Sequence, residues 1–402
     1  MACGSSGETN GDAGGDSGVI DARDEPEVCI GNQAAGAGDT WAAMPLINDN
    51  SNPDRIVTHV GNDVVSGIYY ESPDKGYIVA QEDGLRNTRG GALFKASASA
   101  VTSIAFIGTN DSLRHNGSID FVGIEKSPTG YIAMAYASEL VASDDGGATF
   151  QLKDNAAAGR FSIEAILAVQ VSSSGTTMIT NNGVISSSAS APSGTASYED
   201  IWETDRSRPV SQCQDGPRTS LSPTTRYSVY VSPDRALVAY TSAPNQQPTI
   251  CVSTDGGNSF TARALGVSNV TTAPSGVVFL SKKRGFAWFG SSAVGVAYVK
   301  RTADGGATWT NATLPADVAT SAIELQAGFV GTDCLHGWIA GFDNTADRAV
   351  LLVTTDSGAT WTKVAGVAEA VAAVNGSKLY SGFAIDTAHI WLGGSNGVVV
   401  HN

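Results

Sequence analysis

Ser143-Asp144-Asp145-Gly146-Gly147-Ala148-Thr149-Phe150 is one of four stretches that share a single pattern, and that pattern is the strongest guide to the fold. The others are Ser253–Phe260 (STDGGNSF), Thr302–Trp309 (TADGGATW) and Thr354–Trp361 (TTDSGATW). Each reads Ser/Thr, any residue, Asp, any residue, Gly, any residue, Ser/Thr, aromatic. These residue types suit a tight turn. Glycine reaches positive φ without steric cost, and the carboxylates of Asp145, Asp255, Asp304 and Asp356 can accept N–H bonds inside the turn. Phe150, Phe260, Trp309 and Trp361 supply apolar bodies that pack between neighbouring sheets.

Weaker copies extend the period. Asn87-Thr88-Arg89-Gly90-Gly91-Ala92-Leu93-Phe94 keeps the glycine pair and the aromatic but has Arg89 in place of Asp, and Gly36-Ala37-Gly38-Asp39-Thr40-Trp41 keeps only the end. Trp202 falls in the long gap between Phe150 and Phe260. Aromatics therefore mark positions 41, 94, 150, 202, 260, 309 and 361, at spacings of 49 to 58 residues, which predicts seven units. A second signal runs in phase: Gly76-Tyr77-Ile78-Val79, Gly130-Tyr131-Ile132-Ala133, Gly285-Phe286-Ala287-Trp288, Gly337-Trp338-Ile339-Ala340 and the variant His389-Ile390-Trp391-Leu392 read as second strands. Apolar β-branched and aromatic runs before them (Val64–Tyr70, Ser118–Ile124, Gly276–Leu280, Ile323–Val330) supply first strands. The run entering each turn supplies a third strand, and the aromatic opens a fourth.

The repeated turn is similar to the Asp box, or BNR repeat. Together with the Gly-aromatic turns it resembles the Asp-box propellers of the sialidase superfamily and the photosystem II stability/assembly factor-like proteins. The resemblance implies an all-β, seven-bladed β-propeller with four strands per blade, spanning residues 27–402. After Trp361 the strand-like runs Ser377–Ile385, His389–Leu392 and Val398–Val400 lack a fourth member, and Thr40–Met44 is available to complete the last blade. In this register Cys29 and Cys334 fall on the face that bears the turns, which favours a Cys29–Cys334 disulfide and leaves Cys213 with Cys251.

Residues 1–26 read differently. Gly4–Gly18 is built of Gly, Ser, Asp, Glu, Asn, Thr and one Ala, too little apolar surface to offset the entropy of ordering. Ala2-Cys3-Gly4-Ser5-Ser6 resembles the cleavage end of a bacterial lipoprotein signal, with Cys3 as the lipidated residue and Met1 standing where a removed leader ended. An ordinary free cysteine in a tail is the alternative. The lipoprotein reading places the chain in the bacterial envelope, as an outer-membrane lipoprotein facing periplasm or cell surface, touching the membrane only through its lipid. Four remaining cysteines fit two disulfides in that oxidising compartment.

Composition narrows the function classes. With 42% hydrophobic and 16% charged residues and a net charge of −15, the 402-residue chain has ample core and the wrong sign for nucleic-acid phosphates. No run approaches the roughly 18 apolar residues of a membrane-spanning helix. Nucleophile-elbow, zinc-protease, phosphate-loop and dinucleotide motifs are missing, so no cofactor and no metal is expected. His336 and His389 occupy equivalent turn positions and read as turn hydrogen-bonding residues. Asp49-Asn50-Ser51-Asn52-Pro53-Asp54 lacks calcium-loop spacing and reads as a solvated loop.

For the sialidase resemblance, Arg55-Ile56-Val57 comes near an Arg-Ile-Pro context but lacks the proline, and no catalytic residue can be placed. Arg206, Arg208, Arg218, Arg226 and Arg235 reverse the local charge after Trp202. Guanidinium forks suit an anionic ligand or an acidic partner, and Arg206, Arg208, Arg218 and Arg226 are the candidate binding residues. The alternative is that they neutralise Glu199, Asp200, Glu203, Asp205 and Asp215. The expected function is a non-enzymatic, envelope-anchored propeller that binds a protein or glycan or acts as an assembly scaffold, as a monomer or as one subunit of a complex. A sialidase-like hydrolase of anionic glycans is the competing expectation.

Overall fold

The computed structural model describes residues 40–44, 64–81, 92–97 and 101–103, and, between 121 and 253, the strands, Ser143 and one turn (145–149). It also describes 261–267, 274–289 and, except for 321, 332, 375 and 377, residues 297–402. The chain opens with β1 (Ala42–Met44). The first sheet follows as β2 (Val64–Ser72), β3 (Lys75–Gln81), β4 (Ala92–Ala96) and β5 (Val101–Ser103). The second is β6 (Phe121–Lys126), β7 (Tyr131–Ala135), β8 (Leu140–Ala142) and β9 (Gln151–Leu152). The third is β10 (Ile166–Ser172), β11 (Gly175–Thr180), β12 (Val184–Ser187) and β13 (Tyr198–Asp200). The fourth is β14 (Val229–Val231), β15 (Leu237–Thr241), β16 (Thr249–Ser253) and β17 (Thr261–Ala264).

The fifth sheet comprises β18 (Gly276–Phe279), β19 (Gly285–Phe289), β20 (Tyr298–Thr302) and β21 (Thr310–Asn311). The sixth comprises β22 (Ile323–Val330), β23 (Gly337–Asp343), β24 (Arg348–Thr354) and β25 (Thr362–Lys363). In the seventh, β26 (Leu379–Asp386), β27 (His389–Gly394) and β28 (Val399–His401) are joined by β1, which pairs antiparallel with β28 as Ala42↔His401, Ala43↔Val400 and Met44↔Val399. Two short helices, α1 (Ala316–Thr320) and α2 (Val367–Ala372), lie in the connections into the sixth and seventh sheets. Among the described residues no helix is long and apolar enough to cross a membrane.

Every sheet is antiparallel, and apart from β1 in the seventh its strands follow in sequential order, so the loops joining strands one to two and three to four share one face. Those joining two to three, and one sheet to the next, share the other. The first strands touch in a closed cycle: β2 with β6, β6 with β10, and so on through β22 and β26 back to β2. Among the described residues each hydrophobic cluster straddles a junction between consecutive sheets. Phe286, Trp288, Leu325 and Trp361 join the fifth and sixth, and Phe329, Trp338, Leu379 and Ile390 join the sixth and seventh. Tyr70, Ile78, Met44 and Trp391 join the seventh and first. At that last junction Tyr70 stacks on Trp391 at 3.7 Å between ring centroids, and its hydroxyl donates to Met44 Sδ at 3.8 Å.

Two of the seven aromatic markers hold other places than expected. Phe94 lies inside β4, the third strand, paired with Ile78 and 2% exposed, while the fourth strand is β5. Arg89 has no acceptor for turn N–H groups, so the signal that ends a third strand in the true copies is missing there. Trp202 lies outside the described residues, and the fourth strand expected to open with it, β13, ends before it at Asp200. Phe150, Phe260, Trp309 and Trp361 directly precede β9, β17, β21 and β25, and Trp41 precedes β1.

Close packing of large rings on glycine sets the sheet spacing. A Cβ on Gly328 would stand 2.4 Å from the Trp288 ring, and one on Gly382 would stand 2.1 Å from Phe329. Gly328→Ala is therefore expected to lower stability by about 1 to 3 kcal/mol through overpacking of the junction between the fifth and sixth sheets. Urea unfolding monitored by tryptophan fluorescence checks this; an unchanged midpoint would mean that the junction yields without cost.

Candidate functional site

The repeated turn is a closed hydrogen-bond unit. Ser143 Oγ donates to Asp145 Oδ1 at 2.7 Å and accepts from Gly147 N at 2.8 Å. Thr149 donates its N–H to Asp145 Oδ1 at 2.8 Å and its hydroxyl to Oδ2 at 2.5 Å. Thr302, Asp304, Gly306 and Thr308 repeat the unit at 2.8, 2.8, 2.8 and 2.6 Å. Thr354, Asp356, Gly358 and Thr360 do so at the same distances. The first hydroxyl thus serves as donor and acceptor at once, which explains why Ser or Thr stands there. The bonds from Thr149 and Ser143 hold the Asp145 carboxyl well below the usual carboxylate range. For Asp304 and Asp356, burial pushes the pKa up, but the bonds from the two threonines of each turn outweigh it and the net shift is down.

The turn is also the bridge between sheets. Tyr77 of the first sheet donates its hydroxyl to Gly146 O of the second at 3.2 Å. Trp361 is 3% exposed, meets Phe286 of the fifth sheet edge-on at 4.8 Å and donates Nε1–H to Gly358 O at 3.2 Å. Trp309 makes the same indole bond at 3.0 Å and meets Phe279 edge-on at 6.2 Å, but is only half-buried, contrary to its expected burial. Ser357 takes the place of the first turn glycine at φ 60°. Its hydroxyl donates to Cys334 O at 2.8 Å and accepts from Arg284 Nη1 of the fifth sheet at 3.0 Å, which holds the backbone in this region of the map. Cys334, itself at φ 58° and 1% exposed, is disulfide-bonded.

Beside the second-sheet turn is an open cleft of about 340 Å³. It is bounded by the hairpin residues Asp74, Lys75 and Tyr77, by Lys95 on β4, and by Gly146 and Ala148 of the turn. On the opposite face Glu324 at the start of β22 pairs with Lys378 at 3.2 Å, and the Lys378 ammonium lies 5.0 Å from the Phe342 ring centre. Both charges there are already satisfied. His336 bonds to Asp333, and His389 bonds to Asp386 at 2.9 Å, each imidazole lying over the tryptophan two residues on. Burial pushes the Asp333 and Asp386 carboxyls up, yet the bonds to histidine and backbone win and leave both lowered. Among the described residues no three His, Cys, Asp or Glu side chains converge as a metal site.

No family model matches the chain, and no curated protein matches it in sequence. Solved structures do resemble it in fold. YCF48 from Cyanidioschyzon merolae superposes with a TM-score of 0.58 at 15% identity, over 90% of this chain and 98% of that one. A structure of YCF48 bound to D1 peptide gives 0.59 at 11% identity, over 92% and 99%. The Niastella koreensis GH74 enzyme gives 0.56 at 15% identity, over 90% of this chain and 53% of that one. The chain is a β-propeller in fold.

Within the propeller, Asp145, Asp304 and Asp356 lie in turns between third and fourth strands, and Trp309 and Trp361 directly precede β21 and β25. Asp255, Phe150 and Phe260, the lipidation candidate Cys3, Cys29, Cys213 and the arginines Arg206, Arg208, Arg218, Arg226 and Arg235 lie outside the described residues; Cys251 belongs to β16. Sequence reasoning missed Arg284, Ser357 as a bridging residue, the Glu324–Lys378 pair and the cleft. Arg284 had a usable signal, because it directly precedes Gly285 in the same hairpin position that Lys75 holds before Gly76.

Two outcomes are expected. Trp361→Ala should cost about 3 to 5 kcal/mol and Trp309→Ala clearly less, in proportion to its smaller burial, as read from denaturant midpoints. Equal losses would contradict the packing difference. Because folding lowers the pKa of Asp304 and Asp356, their contribution is complete above the unfolded value near 3.9 and is lost as pH falls from there through the lowered folded value. The melting temperature should drop below about pH 4, and the Asp304→Asn/Asp356→Asn double variant should show a shallower drop over that window.

Proposed function

We propose that the seven sheets are the blades of one ring closed by β1, and that this Asp-box propeller is an envelope-anchored, non-enzymatic scaffold that holds an acidic protein segment. The observation that carries the reading is the connection from Asp200, the end of β13, to Val229, the start of β14. By strand order it leaves and returns on the face opposite the repeated turns, and it contains Arg206, Arg208, Arg218 and Arg226 in a chain of net charge −15. Cations concentrated against that background select for an anionic partner and steer its approach. The likeness in fold to a propeller bound to a peptide agrees with a protein partner. Cys3 as lipid anchor, and Cys29–Cys334 and Cys213–Cys251 as disulfides, belong to the same reading.

The described carboxylates with a displaced pKa, Asp145, Asp304, Asp317, Asp333, Asp356 and Asp386, are all lowered. A glycosidase needs at least one carboxyl raised enough to donate a proton, so these residues favour structure over acid catalysis. The test is the Arg206→Gln/Arg208→Gln/Arg218→Gln variant of the full chain. Cross-linking in native envelopes should capture one polypeptide with the parent, less with the variant, and with a flatter salt dependence. Unchanged capture with a lowered melting temperature would mean that the arginines only neutralise neighbouring carboxylates. Turnover of a fluorogenic sialoside by the purified protein would overturn the non-enzymatic reading.

A further inference from the structure

The cleft beside Gly146 exists because two fillers present at an equivalent junction are missing. Tyr77 pairs across its sheet with Lys95 as Phe286 pairs with Arg301, so the first-to-second junction aligns residue by residue with the fifth-to-sixth. In the latter, Arg284 reaches across to Ser357 Oγ at 3.0 Å and the Ser357 side chain is buried between the hairpin loops. In the former, the residue in Arg284's place, Lys75, turns back to Glu71 at 2.9 Å. Gly146 stands in Ser357's place, and a Cβ there would meet nothing within 4 Å. The result is the 340 Å³ opening, with the Tyr77 ring, Ala96 and Ala148 as its apolar lining and two cations, Lys75 and Lys95, against one carboxylate, Asp74, as its charged lining.

We infer that this cleft is a second binding site, on the turn face, for an extended peptide segment that inserts a Glu or Asp side chain. Three features select that occupant. Lys95 is exposed and has no ion-pair or hydrogen-bond partner among the described residues, so an entering carboxylate loses no competing bond there. The Lys75–Glu71 pair is solvent-exposed, 49% and 32%, and such a pair is weak enough to be exchanged for a ligand carboxylate. The volume is at the lower end for a small-molecule pocket, which suits one or two side chains of a peptide and not an extended oligosaccharide. Its wall of small residues and one aromatic ring accepts an apolar neighbour of the acidic residue. The site is separate from the ends of the Arg-rich connection, Asp200 of β13 and Val229 of β14, which by strand order lie at the other face.

The test uses the full chain and a fluorescein-labelled decapeptide of alternating Glu and Ala, with an alternating Lys and Ala decapeptide as control, followed by anisotropy. The Glu-Ala peptide should bind saturably and the Lys-Ala peptide should not. Lys95→Gln should weaken binding by about tenfold, as expected for loss of one charge-assisted contact. Gly146→Ser, which restores the filler at a φ that Ser357 tolerates, should weaken binding without removing a charge. The Arg206→Gln/Arg208→Gln/Arg218→Gln variant should keep a saturable binding component that Lys95→Gln or Gly146→Ser, added to it, weakens, so the cleft and the Arg-rich connection fail or succeed independently. Equal binding by free N-acetylneuraminic acid, or affinity unchanged in both Lys95→Gln and Gly146→Ser with melting temperatures at the parent value, would overturn the inference. Should Gly146→Ser melt early, Lys95→Gln, a substitution of an exposed side chain, decides alone.

Discussion

The pairing of Ala42–Met44 with Val399–His401 is the contact on which the rest of the structure depends. Each four-stranded sheet has two apolar faces and can bury both only between two neighbours, so a linear stack would always leave two faces in water. By taking its outer strand from the far end of the chain, the seventh sheet binds both termini into the cycle of first-strand contacts. The side chains at this junction match the demand placed on it. Tyr70 stacks on Trp391 and Ser381 Oγ donates to Val65 O at 2.8 Å, both linking residues from opposite ends of the chain, and Met44 on β1 of the seventh sheet accepts the hydroxyl of Tyr70 on the first.

The polar chemistry of the turn face is subordinate to that packing. A tight third-to-fourth-strand turn would leave backbone N–H groups unsatisfied beside a buried aromatic, and one carboxylate with two hydroxyls takes up the exposed donors. The same bonds fix the charge state of the aspartates, so these residues are committed to structure. Where the pattern changes, new contacts appear. Ser357 in place of a glycine recruits Arg284 and the Cys334 carbonyl, whereas the glycine at 146 leaves space. Variation within one repeated unit thus converts a structural turn into either an intramolecular bridge or an opening.

The two misplaced markers show how far a repeat can be read locally. Phe94 belongs to the first sheet but lies within its third strand, and the fourth strand of the third sheet ends at Asp200, ahead of Trp202. What failed is the assumption that an aromatic at the right spacing has the same role without the aspartate that ends the strand. Trp309 and Trp361 make the converse point. Their local sequences are nearly identical and their indole bonds match, but one is half-buried and the other enclosed, because burial depends on the neighbouring sheet's residue, Phe286 in one case.

By itself the sequence determined the properties that short segments carry: the turn chemistry, the alternation of apolar strand positions and the supply of a spare strand at Thr40–Met44. These follow from hydrogen-bonding capacity and side-chain size within about ten residues, and need no knowledge of neighbours. Tertiary structure alone decided which strand holds Phe94, how deeply Trp309 is buried, that Arg284 meets Ser357, and that a cleft remains beside Gly146. Each of these depends on which side chain the adjacent sheet presents across the junction. That pairing joins residues tens to hundreds of positions apart, and no local pattern encodes it.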